Sequence, residues 1–285
     1  MANFKVVKLK WRQNVTKINF IKFVCSVAFV TSLNPAVSFA EQQYSFGIVP
    51  QTNGSKLSKL WSPILQYLEN KADVKLRFAT TRNINTFERR LASGKYDIVY
   101  MNPYHYTLFH EKQGYNAFAK AKKKRLKGIL VVRKDSPYRS INDLENSELA
   151  FPSNAFAANL VPIAVLSKTN LSFSSKFVSS HDSVYRNIAR GRYPAGGGVL
   201  RTFKNTSPEY RDKLRVLWKS EGYTPHAFAA HPRVPKEIIS RLQKILLEMD
   251  NDPLGKSLLK KIRLKGIEQG LDREWDDVRA LNIQS

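Results

Sequence analysis

The sequence predicts an α/β fold of two lobes, each a mixed, mostly parallel sheet flanked by helices, with a ligand cleft between them. Two observations carry this. Residues 44–114 alternate short apolar β-rich runs with helix-spaced segments, and residues 127–191 begin a second set of the same kind after a change of pattern. Strand, helix and strand in succession imply parallel pairing with the helices on the sheet faces. A third observation is a return: "HAFAAHP" at 226–232 reads as a strand, and an amphipathic helix over 235–249 follows it, with Pro235 at its start.

The elements follow in order. "YSFGIVP" (44–50) is a buried strand, and residues 55–70 place Leu57, Leu60, Trp61, Ile64, Leu65 and Leu68 at helical spacing. "VKLRFATT" (74–81) is a strand and 83–94 a helix closed by Gly94. "YDIVYMNP" (96–103) is a third strand, with a helix over 104–114 behind it. In the second set the strands are 127–133, "ELAFP" (148–152) and "KFVSS" (176–180). Helices open at Ser140 and cover 154–169 and 181–191. "AGGGVLRTF" (195–203) and "LRVLWKS" (214–220) are further strand candidates. The expected organisation is 41–133 for the first lobe, 134–223 for the second, and 224–285 for the return, with crossings near 130–134 and 224–230.

Residues 1–40 read differently. Lys5, Lys8, Lys10, Arg12, Lys17 and Lys22 precede the apolar run "FVCSVAFVTSL", which is too short to span a bilayer, and Ser38-Phe39-Ala40 forms a small-x-small cleavage site. A cleavable export signal is expected, and with it a periplasmic location. Cys25, the one cysteine, lies inside that segment and lacks a lipobox, so residues 41–285 must hold together through their core without disulfides. The chain carries a formal charge of +24. Solvated lysines explain most of it, but such a surface also attracts anions. Export and the absence of a recognised module argue against nucleic acid as a partner.

Ligands of open α/β sheets sit beyond the carboxyl ends of the strands. Gln51 and Arg82, after the first and second strands, are therefore cleft candidates, as is Tyr100 at the end of the third. Asn102 is either a donor there or a simple turn into the helix. Gly197, within Gly196-Gly197-Gly198, permits close approach of backbone to a ligand or a positive φ. Arg201 offers a forked donor or a surface salt bridge. Tyr223 and Thr224 belong to the hinge or the mouth. His226 has no context that distinguishes it. Ser153 lacks the setting of a nucleophile, and no His/Cys/Asp/Glu set has metal-ligand spacing. Neither catalysis nor a cofactor is expected.

"FGIVPQ…LWSPILQYLE", "FERRLASGKYDIVYMNP", "VVRKDSPYRSINDL", "FPSNAFAAN", "SHDSVYRNIARG" and "LRVLWKSEGYTPHAFAAHPRVP" occur in the order and spacing of a known family. The chain resembles the phosphate/phosphite/phosphonate-binding proteins of ABC transporters, which have the class II periplasmic binding protein fold, from about residue 44 to 250. The resemblance implies a hinged receptor, expected as a monomer, that closes on a small anion and delivers it to a membrane permease. The same fold serving a membrane sensor kinase or chemoreceptor is the alternative. By the same resemblance the anion is held by Tyr100 and Asn102, by the helix start at Ser153, Asn154, Ala155, Phe156 and Ala157, and by His181. The family's hydroxyl-rich turn is replaced here by Ala155-Phe156-Ala157-Ala158. That leaves backbone N–H groups as the anion donors and favours a larger or more apolar ligand.

Overall fold

The computed structural model describes residues 42–153, 156–169 and 171–283. The expected export signal lies outside them, as do Asn154 and Ala155.

Strand β1 (Gln43–Ile48) is buried in all but its first residue. Asn53 opens α1 (Gly54–Ala72) by accepting the Lys56 N–H. The stripe Leu57, Trp61, Ile64, Leu65 and Leu68 is buried, and Pro63 interrupts the hydrogen-bond ladder without ending the helix. β2 (Lys75–Ala79) leads to α2 (Ile84–Ala92), capped by Asn83. β3 (Ile98–Met101) leads to α3 (Pro103–Gln113), which has Pro103 in its first turn and closes at Gly114 with φ 72°. β4 (Asn116–Ala121) then lies where the sequence displays only the start of a basic run.

The second lobe begins with β5 (Ile129–Arg133). A short 3-10 turn precedes β6 (Ser147–Pro152), and a wide π-type turn, Phe156–Leu160, runs into α4 (Val161–Ser167). β7 (Phe173–Val178), α5 (His181–Ala189), β8 (Ala195–Gly198), α6 (Leu200–Lys204), α7 (Pro208–Arg211) and β9 (Leu214–Lys219) complete it. The return adds β10 (Ala227–Ala230), α8 (Lys236–Glu248), α9 (Pro253–Lys261), β11 (Ile267–Gln269) and α10 (Asp276–Arg279).

The first lobe's sheet has the order β11-β4-β10-β3-β1-β2 and the second lobe's β7-β6-β8-β5-β9. β1 pairs in parallel with β2 and β3, and the returning β10 inserts antiparallel between β3 and β4. β6 is parallel to both β7 and β8, while β5 is antiparallel to β8 and β9.

Two expectations are corrected. β5 belongs to the second sheet, so the chain crosses before Ile129 rather than near 130–134. Ile129 and Val131 face one core, Leu130 and Val132 the other, and all four are fully buried; a strand covered on both faces reads as a continuous apolar run. The strand expected over 195–203 stops at Gly198, because Leu200–Lys204 turns helical.

At the crossing, Leu126 and Tyr223 exchange backbone hydrogen bonds of 2.8 and 2.9 Å, and Ser220 N–H donates to the Gly128 carbonyl. The basic run is largely taken up by C-terminal acids. Lys120 pairs with Glu268 and Glu274, Lys122 with Asp250, and Arg125 with Asp277. At the opposite end of β3, Asp97 accepts from the Ser45 N–H (2.8 Å), the Ser45 hydroxyl (2.7 Å) and Arg233 (2.6 Å). Burial alone would raise its pKa, but these donors outweigh burial and hold it below the usual carboxylate range.

A methyl group at Gly197 would lie 2.0 Å from the Ala158 carbonyl oxygen and 2.5 Å from the Phe151 ring, whereas one at Gly54 would meet only Thr80 Cγ2 at 3.6 Å. Gly197→Ala is expected to cost about 2–3 kcal/mol in urea unfolding, and Gly54→Ala less than about 0.5 kcal/mol. Equal midpoints for the two variants would contradict the close packing described.

Candidate functional site

In the first lobe the strand ends converge where the alternation of the strands leads. Phe228 on β10 pairs with Tyr100 on β3. His226, two residues earlier, lies on the same face as Phe228. The Tyr100 ring stacks on His226 at 5.1 Å between centroids and 20° between planes. Trp61 from α1 and Phe228 each lie 4.8 Å from Tyr100. Tyr100 is thus the buried wall behind His226. Gln51, exposed after β1, brings its Nε2 to 2.6 Å from His226 Nε2.

His226 is half-buried, with Tyr100 on one ring face and the Gln51 amide at Nε2. Burial pushes its pKa down to about 3, with a smaller contribution from the positive charge of Lys124. At neutral pH the ring is therefore an uncharged imidazole. With the Gln51 amide donating to Nε2, the ring proton sits on Nδ1, available as a donor. Lys124, half-buried, adds positive charge nearby. The geometry thus offers an oxyanion a neutral N–H donor, an amide and a cation against an aromatic wall.

The second lobe contributes His181 in the first turn of α5. Ser180 caps this helix by accepting the Ser183 N–H, and Ser179 bonds Ser183, so the surrounding serines serve the cap. His181 Nδ1 lies 3.3 Å from Thr202 Oγ1, which is 2.7 Å from the Tyr185 hydroxyl. That hydroxyl in turn receives the Val199 N–H at 3.3 Å. His181 is thereby tied to the end of the glycine strand.

The structure places the other expected positions as follows. Asn102 caps α3 by accepting the His105 N–H at 2.8 Å, and its amide nitrogen faces His105 Nε2 at 3.3 Å. It is 5 % exposed, and the cap commits its carboxamide. Phe156 packs edge-to-face on Tyr223 at 6.3 Å, and Phe156 and Ala157 are both buried. Ser153 is exposed and turns back to the Val178 carbonyl. The Gly197 backbone meets the turn at Ala158 and has no positive φ. Arg82 is exposed after β2, and Arg201 stands in α6. Tyr223 and Thr224 lie at the return crossing, where Tyr223 bridges to Leu126 and Thr224 donates to Asp277 and to the Glu274 carbonyl.

His226 and Lys124 escaped the sequence reading. The signal for His226 was present in Pro225-His226-Ala227-Phe228, a strand start whose alternation puts His226 beside whatever Phe228 touches. The partner strand, however, is fixed only by the antiparallel insertion of β10. Among the described residues no group of His, Cys, Asp and Glu could hold a metal ion.

A family model described as "ABC transporter, phosphonate, periplasmic substrate-binding protein" matches residues 46–275. The phosphonates-binding periplasmic protein of Escherichia coli (strain K12) is 22 % identical, over 92 % of this chain and 84 % of its own. PhnD1 of Prochlorococcus marinus (MIT 9301), solved in complex with methylphosphonate, superposes with a TM-score of 0.72 at 17 % identity, covering 85 % of this chain and 97 % of that one. XAC2383 of Xanthomonas citri, solved with chloride and separately with ATP, gives TM-scores of 0.74 and 0.72 at 17 % and 16 % identity, each covering 84 % of this chain and 96 % of that one. These likenesses agree with the two-lobe class II fold and favour delivery of a ligand to a permease over a sensory role. With both lobes inside the matched span, the chain belongs to the periplasmic substrate-binding proteins of phosphonate ABC transporters.

Proposed function

We propose that this protein captures a phosphonate or a closely related phosphorus oxyanion between its lobes and presents it, as a monomer, to its permease. The observation that carries the reading is the Gln51–His226–Tyr100 cluster at the strand ends. Its polar groups, with Lys124, suit an oxyanion, while the Trp61–Tyr100–Phe228 wall suits an organic substituent. On this reading His181 and the N–H groups at the start of α5 supply the second lobe's contacts, with Ser153, Arg82 and Arg201 at the rim. The family's role supports this, as does methylphosphonate in PhnD1 of Prochlorococcus marinus. The complexes of XAC2383 with chloride and with ATP support a cleft of this kind accepting anions of different size.

The mechanism is binding without chemistry. A ligand that touches both lobes stabilises the closed arrangement only by its differential contacts with it. Residues 1–40 direct export and are removed after Ala40 on this reading.

Calorimetry of residues 41–285 should detect methylphosphonate or 2-aminoethylphosphonate. At 100 times the dissociation constant, either should stabilise the fold by about 2.7 kcal/mol. His226→Ala, Gln51→Ala and His181→Ala should each weaken binding roughly tenfold, the loss of one hydrogen bond to a charged group. Binding of carboxylates alone, or full affinity in all three variants, would show that the cleft serves another ligand.

His226 also makes stability depend on pH. The native ring stays neutral down to about pH 3, whereas the unfolded one takes up a proton below about 6.5. Its contribution is therefore complete above pH 6.5 and is lost progressively as the pH falls toward 3. His226→Gln should flatten the urea midpoint between pH 7 and 4. Parallel curves for the two proteins would mean that the ring titrates normally.

A further inference from the structure

Outside the cleft, the edge of the first lobe carries a pocket of about 420 Å³ between β2 and α2. β2 is the last strand of its sheet, so one side of its backbone is uncovered. Arg77 from β2, Arg89 and Arg90 from the last turn of α2, and Lys95 beyond it line this space, with no carboxylate in the lining. Among the described residues none of the four cations forms a salt bridge. Arg89 instead reaches Thr86 Oγ1 (3.0 Å), and Arg90 reaches the Thr80 carbonyl (3.4 Å). Some basic side chains elsewhere find acids, as Lys71, Lys120, Lys122, Arg125, Arg233 and Arg279 do; what sets these four apart is that they line one concavity.

At the floor lies Tyr96, 2 % exposed, its ring laid against Gly47 and its hydroxyl lacking a hydrogen-bond partner of acceptable geometry. Arg90 is near enough to the hydroxyl to offset part of the effect of burial, which raises its pKa. Gathering four cations around one concavity is unfavourable without a counter-charge. Guanidinium forks match phosphate oxygens in pairs, more specifically than ammonium groups do. A single phosphate would leave much of the volume empty and part of the charge unbalanced.

We propose that this pocket is a second anion site, distinct from the cleft, that takes a group bearing two or more linked or adjacent phosphates. The chemistry is the same whether the group is a free diphosphate or the phosphates of a lipid headgroup. Inorganic pyrophosphate titrated into residues 41–285 in 0.15 M salt, and flotation with vesicles containing cardiolipin, whose headgroup carries two phosphates, separate the two sources.

Wild-type protein should bind pyrophosphate with a saturable stoichiometry of one at this site, with methylphosphonate present to fill the cleft. Arg89→Gln/Arg90→Gln should weaken that binding at least tenfold. Lys244→Gln/Lys256→Gln, which removes the same charge from exposed positions on α8 and α9, should leave it within twofold. Vesicle binding lost only in the arginine variant, without pyrophosphate binding, would assign the phosphates to lipid and uphold the site. The proposal is overturned by equal losses in the two double variants. It is equally overturned by pyrophosphate binding that is abolished by His226→Ala but not by the arginine change, or by binding in neither arm.

Discussion

The close approach of backbone to backbone at β8 is the constraint on which the second lobe depends. Gly196, Gly197 and Gly198 have no side chains, and a methyl group at any of them would collide: with the Ala150 carbonyl at 2.5 Å, the Ala158 carbonyl at 2.0 Å or the Tyr185 hydroxyl at 2.1 Å. Gly128 repeats the pattern, since a methyl there would lie 2.1 Å from the Ala157 carbonyl. The turn after β6 therefore rests on two glycine backbones. Its wide π-type form and its small residues follow from that contact. The hydroxyl-free sequence Ala157-Ala158 is, in the first place, a packing solution.

The same glycines place the second lobe's polar groups. Because Gly198 leaves room for Tyr185, the Tyr185 hydroxyl reaches Val199 and Thr202, and Thr202 reaches His181. A bulkier residue at 198 would push Tyr185 away and release His181 from its partner. Electrostatics plays a different part. Most ion pairs along the basic run are partly solvated and individually worth little. Lys120 is the exception: its side chain is 10 % exposed between Glu268 and Glu274. An unpaired charge buried there would be costly, so β4 and the C-terminal segment stay together.

What the sequence made legible was what depends on local pattern. The strands and helices with a clear period were readable, as was the stop at Gly94, whereas the caps at Asn53, Asn83 and Ser180 emerge only from the structure. β4 was not readable, because Lys120 and Lys122 break its apolar character and are tolerated only through acids more than a hundred residues away. The glycines were recognisable as a place of close approach, but not what approaches them, since that is set by tertiary packing. Gln51 and Tyr100 could be singled out from their positions at strand ends, and the structure brings both against His226. His226 could not be singled out, because its significance comes from β10 inserting beside β3, a non-local pairing. Asn102 displayed both of its readings, and its carboxamide oxygen serves the cap by accepting the His105 N–H.

His226 also stands within the segment that joins the lobes. Tyr223 bridges to Leu126, Thr224 is held by Asp277 and Arg125, and the Pro225 carbonyl accepts the Trp275 indole N–H at 3.0 Å. Trp275 packs on Tyr106 at 4.6 Å, and Tyr106 bonds Asp272, so these anchors belong to the first lobe. His226 is consequently fixed with Gln51 and Tyr100. From the second lobe, Phe156 meets the Tyr223 ring edge to face. His226, Gln51 and Tyr100 thus belong to one unit, held in the first lobe by the same anchors that hold the returning chain.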